Sequence, residues 1–332
     1  MSPTSVPVEL NPVQTAAVLQ QLGAWIISVS TPEAGQWFQL QLQTIREGQQ
    51  RRDVYKALGL AARKMGKADL ALDAAALARA AELRPGWDPS GWSVDQAARV
   101  ALLLASRAAQ GAIHPAVAGE LAHLDAAAAS TADAHFVELL EEFAASAEIN
   151  ELIALYQGLP LFPAARALEP RAREAIRSAM RPVFEAMAHR NPYPQEQFDQ
   201  DAWNQMVVKT FFLDSPLWPI QGLEARGNPA LARILVDLAH ERWAAGRTIS
   251  LELWRCVGPH ADAAGVVAMQ RVLDTGSEVE QLAIALALAN KTEKTKPDTP
   301  TSDNCAALRA QCVARGLTAR ALEAGWRKLV AQ

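Results

Sequence analysis

Cysteine, aromatic residues and long apolar runs are all scarce in this 332-residue sequence. The three cysteines, Cys256, Cys305 and Cys312, show no CxxC spacing, so the sequence contains no recognisable zinc-binding cluster and fits a reducing compartment. The longest uninterrupted apolar run, residues 282–289, is far shorter than the roughly 20 residues that span a bilayer. The first ten residues lack the basic and apolar regions of a signal peptide. We therefore expect a cytoplasmic protein that does not span a membrane.

A basic face and the common catalytic motifs are also missing. The 32 basic and 36 acidic residues give a net charge of −4, and the two signs alternate along the chain. This pattern argues against a nucleic acid partner. Nothing resembles a nucleophile elbow or a glycine loop that cradles phosphate. The sequence therefore indicates no reaction and no cofactor, and a non-enzymatic role is the simpler interpretation.

Alanine and leucine are abundant, whereas β-branched and aromatic residues are few. Local propensity therefore favours helix over strand nearly everywhere and predicts an all-α protein. Successive antiparallel helix pairs with short turns indicate an irregular α-solenoid or a helical bundle, similar to HEAT or tetratricopeptide arrays. Residues 57–85 partly match one tetratricopeptide repeat. A general protein-interaction domain is accordingly one functional interpretation, beside the two given at the end of this section.

Capping residues followed by proline mark several helix starts, as at Asn11-Pro12, Thr31-Pro32 and Asn228-Pro229. Capping boxes begin at Ser93 and Ser277. Further helices are expected from Pro115 and from Ser130-Thr131. The other helices are predicted near 12–28, 32–46, 51–65, 67–83, 93–110, 148–157, 170–189, 201–213, 229–245, 260–274, 277–290, 303–315 and 318–331.

Residues 158–170 contain three prolines and are the best internal boundary, because proline is not tolerated inside helices. We therefore predict an N-terminal helical region over 1–157 and a C-terminal one over 158–332. Residues 291–303 contain almost no apolar side chain and are predicted to form a flexible loop.

The segment from residue 191 to 260 differs from the alanine-rich sequence on either side. Four of the nine tryptophans lie here, at positions 203, 218, 243 and 254, among amides, carboxylates, arginines and prolines. Such side chains are costly to bury without specific partners. The segment is therefore either the centre of the core or a site, and we call it the tryptophan-rich segment.

The first helix of this segment carries a polar stripe beside its apolar face. Asp201, Gln205 and Lys209 follow an i, i+4, i+8 spacing, with Asn204 at the edge and Trp203 on the apolar arc. We expect the stripe to lie inside the protein. It forms either a polar network that fixes the position of the helix or a ligand pocket in which Lys209 supplies the cation.

The second helix places Arg242 within an apolar arc that includes Trp243. An arginine there either extends past the helix end or pairs with a buried carboxylate, for which Asp201, Asp214 and Glu224 are candidates. The predicted ligand-binding residues of the segment are Asp201, Trp203, Asn204, Gln205, Lys209, Arg242, Trp243, Trp254 and Arg255.

Two pairs of acidic residue and histidine raise the possibility of a dinuclear metal site. Glu120-x-x-His123 and Asp237-x-x-His240 repeat a carboxylate-x-x-histidine spacing on two helices, as in di-iron helical bundles. Both pairs lie on the polar sides of their helices, where a solvated face is the simpler interpretation. The metal site therefore remains the less favoured alternative.

The strings NPYPQEQFDQDAWNQMVVKTFF and NPALARILVDLAHERWAAGRTISLELWRCVGPH resemble signature stretches of the EboA-domain family. The resemblance is strongest over residues 185–262. Members of that family are helical bacterial proteins encoded beside a prenyltransferase-like membrane protein, a cyclase resembling dehydroquinate synthase, a sugar-isomerase-like barrel and hydrolases. The resemblance implies a part in making a secondary-metabolite precursor or moving it towards the periplasm, and it supplies no catalytic residue.

Two functions follow from these observations. The first is a non-catalytic accessory or scaffold protein that binds other proteins of a biosynthetic or export pathway. The alternative is a pathway enzyme or small-ligand carrier, in which Asn204, Lys209 and Arg242 bind an anionic or hydroxyl-rich precursor among the tryptophans.

Overall fold

The structure is a computed structural model and describes residues 9–48, 50–110, 122–289 and 300–330. These residues form 18 α-helices and no strand, so the predicted all-α class is confirmed. The arrangement agrees with a helical bundle or solenoid. The chain divides into two compact units, Met1–Phe198 and Asp199–Gln332.

The first unit contains ten helices in its described part. Their starts follow the capping signals: the Asn11 side chain accepts the Gln14 N–H at 2.9 Å, and the Gln14 side chain accepts the Asn11 N–H in return. The helices are α1 (Pro12–Val29), α2 (Pro32–Gly48), α3 (Arg51–Met65), α4 (Ala74–Leu83), α5 (Val94–Gln110), α6 (Ala122–Ser146), α7 (Ile149–Gly158), α8 (Glu169–Arg177), α9 (Arg181–Ala188) and α10 (Tyr193–Gln197).

Helix α5 is the centre of the first unit. Its residues Val100 to Ala105 are all fully buried, and α1, α2, α3 and α7 pack around it. A helix that is apolar on every side must be enclosed by other elements. The small side chains of Ala97, Ala98, Ala101 and Ala105 in α5 allow its neighbours to approach closely.

Three helices predicted from sequence are wrong in their bounds. The start expected at Ser130-Thr131 is wrong, because α6 runs through it from Ala122 to Ser146. The helix expected over 67–83 begins only at Ala74, because Leu70 and Val94 donate backbone hydrogen bonds to Trp92 and Ala68 at 2.8 and 2.9 Å. This pairing holds the preceding residues extended. The single helix expected over 170–189 is two helices, α8 and α9, because Pro182 cannot lie inside a continuous helix.

The second unit contains eight helices in its described part. They are α11 (Gln200–Phe212), α12 (Leu223–Arg226), α13 (Pro229–Ala244), α14 (Leu253–Val257), α15 (Ala263–Thr275), α16 (Glu278–Ala289), α17 (Pro300–Ala314) and α18 (Leu317–Val330). The apolar run 282–288 within α16 is buried throughout and packs against α14 and α18. It is a core helix, and no helix of the described chain is both long and apolar enough to cross a membrane.

Close helix contacts in this unit depend on a missing side chain. A Cβ atom at Gly258 would lie 2.8 Å from the Ala287 carbonyl oxygen of α16. Gly258 therefore allows the turn after α14 to approach the central helix directly. This contact fixes the end of the tryptophan-rich segment.

The structure shows where the predicted boundary and the predicted loop lie. Residues 158–170 lie within the first unit, where Leu159, Leu161 and Phe162 are buried, so this proline-rich stretch is part of a core. Most of the predicted loop, residues 291–299, lies outside the described residues. Residues 300–303 belong to α17. The helix expected from Pro115 also lies outside the described residues.

Candidate functional site

The polar stripe of α11 is not buried as expected. The Asp199 side chain caps the helix by accepting the Ala202 N–H at 2.8 Å. Asp201 and Gln205 are exposed, and Lys209 is half-buried. The expectation of an interior stripe is wrong for Asp201 and Gln205, because Trp203, Met206, Val207 and Thr210 occupy the inward face instead.

Asn204 lies at the edge of that inward face and is buried. The Asn204 Oδ1 atom accepts a 2.9 Å hydrogen bond from the Asn228 side chain and a 3.1 Å bond from Gln200. Asn228 in turn caps α13 by accepting the Leu231 N–H at 2.9 Å. The amides therefore join the start of α13 to α11. This arrangement agrees with the polar network that fixes the position of the helix.

The tryptophans of the segment are mainly packing residues. Trp203 and Trp254 are fully buried. Trp243 is half-buried, with its ring centroid 6.1 Å from that of Trp254 and the Arg271 guanidinium 4.2 Å above it. Arg255 donates to the Glu224 carboxylate at 2.7 Å. The cavity described next is lined by none of Trp203, Trp243, Trp254 and Arg255.

A different part of the segment contains a cavity, at the C-terminal end of α11. The helix ends in a Schellman turn, in which the Ser215 N–H bonds the Thr210 carbonyl at 3.0 Å. Asp214 occupies the left-handed position of this turn with φ of 48°. Glycine is the usual residue there, and any other residue brings strain of about 1 kcal/mol or more.

Arg242 of α13 reaches the same end of α11. Its guanidinium donates to the Phe211 carbonyl at 2.8 Å and to the Thr248 carbonyl at 3.3 Å. The carboxylate partners expected from sequence are not used: Arg242 makes no ion pair with any described residue, and Glu224 pairs with Arg255. A cation at the C-terminal carbonyls of a helix is favoured by the helix dipole.

The cavity lies between the end of α11, the end of α13 and residues 248–253, and has a volume of about 330 Å³. We call it the α11 cavity. Polar and apolar side chains contribute to its wall in comparable measure, and of the residues predicted to bind a ligand only Arg242 is among them. The wall is formed by Phe211, Asp214, Ser215, Pro216, Leu238, Arg242, Thr248, Ile249, Ser250, Glu252 and Leu253.

Glu252 is the buried acid of this cavity, with 1% of its surface exposed. Its Oε2 atom accepts the Leu217 N–H at 2.7 Å, whereas Oε1 is buried with no hydrogen-bond partner in the described structure. The nearest cation, Arg255, stands 3.7 Å from Oε1. Burial raises the pKa of Glu252 above its ordinary value, although the Leu217 N–H, Arg255 and the Trp218 N–H oppose the shift.

Sequence reasoning missed Glu252 and Asp214 as site residues. Glu252 could have been predicted from the sequence, because an acidic residue placed directly between Leu251 and Leu253 falls on an apolar stretch and should be buried. Asp214 was considered only as a partner for Arg242. Its left-handed backbone depends on the turn geometry and has no pattern in the sequence.

The metal site receives no new support. Asp237 and His240 are exposed on α13, and the His240 ring packs edge-on against Trp243 at 5.3 Å between centroids. Glu120 lies outside the described residues, and so does the side chain of His123. Among side chains that the structure describes, no group of three or more His, Cys, Asp or Glu could hold a metal ion.

All three cysteines are buried. Burial raises the pKa of the Cys256 thiol to about 12, so its thiolate form is rare at neutral pH. Cys256 is therefore a packing residue of α14.

Comparison with known proteins gives one match. The profile of a family described as "Metabolite traffic protein EboA" matches residues 18–115 and 120–258. No curated protein and no solved structure matches the chain. The second matched range includes every residue that lines the α11 cavity.

Proposed function

The chain belongs to the EboA family, and on this premise we propose that it is an accessory protein of metabolite traffic in a secondary-metabolite pathway. It holds a small polar metabolite in the α11 cavity and presents it to other proteins of that pathway. We place this activity in the cytoplasm. The proposal assigns the protein binding and transfer of the metabolite, and no chemical step.

The single observation that carries this proposal is the pair of incompletely satisfied charged groups in one cavity. Arg242 bonds only to two backbone carbonyls among the described residues, and Glu252 keeps one buried oxygen without a hydrogen bond. Leaving buried polar atoms of such groups without hydrogen bonds lowers the stability of a fold. Native proteins tolerate that cost mainly where the groups serve a function.

The shape of the cavity supports the same conclusion. Its volume of about 330 Å³ is at the lower end of the ~300–1,000 Å³ range of small-molecule sites. Leu238 and Leu253 give it an apolar wall, and Ser215 and Ser250 add hydroxyl groups. A few convergent polar groups on an apolar wall are typical of a ligand site.

Native mass spectrometry tests the proposal directly. The protein is purified gently from a host that expresses its neighbouring genes, as wild type, as Arg242→Met and as Arg233→Met. Arg233 lies on the same helix with 66% of its side chain exposed, and serves as the matched control. We expect one added small-molecule mass on wild type and Arg233→Met, and its loss from Arg242→Met.

Circular dichroism shows whether Arg242→Met still folds, so that loss of the ligand is not confused with loss of the protein. A wild-type protein that carries no small molecule would contradict the proposal. Equal retention of the ligand by Arg242→Met would also contradict it, because the cavity would then not be the binding site.

A scaffold without a ligand is the second candidate, and one observation favours it. Helices α15 and α17 pack against each other, and each exposes a large apolar side chain, with Val267 66% and Val313 64% exposed. In this case the Val267→Ser, Val313→Ser double variant should lose co-purification with the neighbouring proteins, while Arg242→Met should keep it. The opposite pattern would favour the carrier.

A further inference from the structure

The charges that line the α11 cavity carry an inference about its ligand, which rests on the proposed function. Both signs are present: Asp214 and Glu252 supply carboxyl groups, and Arg242 supplies a guanidinium. The first unit differs, since its buried Arg99 and Asp95 bond directly to each other. In the cavity the opposite charges remain separate, so a ligand meets both of them.

An anionic ligand is disfavoured by this wall. The carboxylate of Asp214 repels a negative charge, and the last carbonyls of α11 carry the negative end of the helix dipole. Arg242 offsets this potential only in part, because its single positive charge faces the Asp214 carboxylate and the last carbonyls of α11 together. Asp214 is exposed, so solvent weakens this repulsion but does not change its sign.

A cationic ligand is disfavoured by Arg242. An ammonium group in the cavity would share its space with a guanidinium that has no carboxylate partner among the described residues. Glu252 gives only limited compensation, because burial raises its pKa and favours its neutral form. A ligand with a net charge of either sign therefore meets an unfavourable neighbour.

A hydroxyl group fits all of these neighbours at once. It donates its hydrogen to a carboxylate such as Asp214 and accepts an N–H from Arg242 with its lone pairs. Arg242 can donate further, since its two carbonyl bonds use two of its five N–H groups. The apolar faces of Phe211, Leu238 and Leu253 pack against the C–H side of such a molecule.

We propose that the α11 cavity binds a neutral, polyhydroxylated molecule of about the size of a monosaccharide. Asp214 and Arg242 are the residues that determine this specificity, each by repelling ligands of its own charge. Hydroxyl groups of Ser215, Thr248 and Ser250 extend the same donor and acceptor pattern around the cavity.

Three pyranoses of one size test the charge rule: glucose is neutral, glucuronate is anionic and glucosamine is cationic. Affinities are measured by ligand-observed NMR at pH 7 on the full chain. We expect glucose to bind at least about tenfold more tightly than either charged sugar, a difference of about 1.4 kcal/mol. The reverse order would overturn the inference, and so would the absence of glucose binding at millimolar concentration.

Two variants test the named residues through selectivity, which a merely structural role would not change. Asp214→Asn should raise the affinity for glucuronate relative to glucose, and Arg242→Gln should raise that for glucosamine. Asp237→Asn, an exposed acid on α13, is the matched control and should change neither ratio. Unchanged ratios in the first two variants would contradict the assigned roles.

The outcomes separate this inference from the proposed function. A charged or apolar metabolite that co-purifies and depends on Arg242 would overturn the neutral polyol and leave the carrier function intact. A neutral polyol that depends on Arg242 supports both. If no small molecule co-purifies and no pyranose binds, both fail.

Discussion

The two units treat buried charge in opposite ways. In the first, Arg99 bonds the Asp95 carboxylate at 2.5 Å and Arg84 bonds that of Glu196 at 2.6 Å, and each arginine also donates to a backbone carbonyl. In the second, Glu252 is 1% exposed yet leaves one oxygen without a hydrogen bond among the described residues.

The difference separates structural charges from available ones. A buried pair whose hydrogen-bonding groups are satisfied fixes the position of its helices and offers little to a ligand. A buried carboxyl lines a cavity with capacity left to bind when one of its oxygens makes no hydrogen bond, as in Glu252, whose ion-pair partner Arg255 stands 3.7 Å from that oxygen. Comparison with the paired charges of the first unit therefore identifies the α11 cavity as a candidate site.

Breaking a pair in the first unit should have the largest effect. Arg99→Met leaves Asp95 buried with only the Ser93 hydroxyl as a side-chain donor. We expect a loss of about 3–5 kcal/mol in the free energy of unfolding, the usual result of removing one partner of a buried ion pair. Urea denaturation followed by circular dichroism measures it.

The control is Arg79→Met, which removes an exposed ion pair with Glu82 and should cost less than about 1 kcal/mol. Comparable losses in the two variants would show that burial does not distinguish these charges. The contrast between the units would then lose its physical basis.

Asn204→Ala tests a structural residue within the second unit. The change removes two hydrogen bonds to the Asn204 Oδ1 atom and leaves the Asn228 and Gln200 amides with only the Arg226 carbonyl, so we expect a loss of about 1–3 kcal/mol in unfolding free energy. Its exposed neighbour supplies the control, since Gln205→Ala should change stability by less than about 0.5 kcal/mol. Loss of ligand binding at unchanged stability would instead make Asn204 a site residue.

Most of the helices could be predicted from sequence, because capping residues close to each helix end mark where it begins. The Asn11 and Asn228 caps and the Ser277 capping box all form as predicted. Periodicity also identified the apolar face of α11 that buries Trp203 and Met206. The predicted helix bounds are wrong where contacts between distant residues determine them. The backbone bond from Leu70 to Trp92, for example, makes α4 begin later than predicted.

The site was located less well than the fold. Arg242 was singled out because an arginine within an apolar arc needs a partner. Its partners are backbone carbonyls of Phe211 and Thr248, and no side-chain pattern predicts these. Lys209 was preferred as the cation, yet it does not line the α11 cavity, because the cavity opens at the turn after the helix.

The pH dependence of stability tests the buried acid. Burial raises the folded-state pKa of Glu252, so the folded state binds a proton more tightly than the unfolded state. This contribution to stability is complete below the ordinary pKa of 4.5 and is lost as pH rises through the raised value. Glu252→Gln does not titrate, so its stability relative to wild type should increase between pH 4.5 and 7.

Urea denaturation at pH 4.5, 5.5 and 7 measures this difference. The matched control is Glu241→Gln, which removes an exposed carboxylate from α13. A Glu252→Gln profile that runs parallel to wild type would show that Glu252 is adequately solvated when ionised. The acid would then no longer distinguish the second unit from the first.

The smallest expected effect on stability comes from Asp214→Gly, and it has the opposite sign. Glycine adopts the left-handed position without a Cβ clash, so we expect the variant to be as stable as wild type or up to about 1 kcal/mol more stable. Asp214→Ala keeps the strain and should not gain. Both variants lose the carboxylate and should bind the ligand more weakly, as measured by the NMR titration. A residue that lowers the stability of the protein and is needed for binding belongs to the site. Substitution of any paired charge in the first unit should instead destabilise the protein.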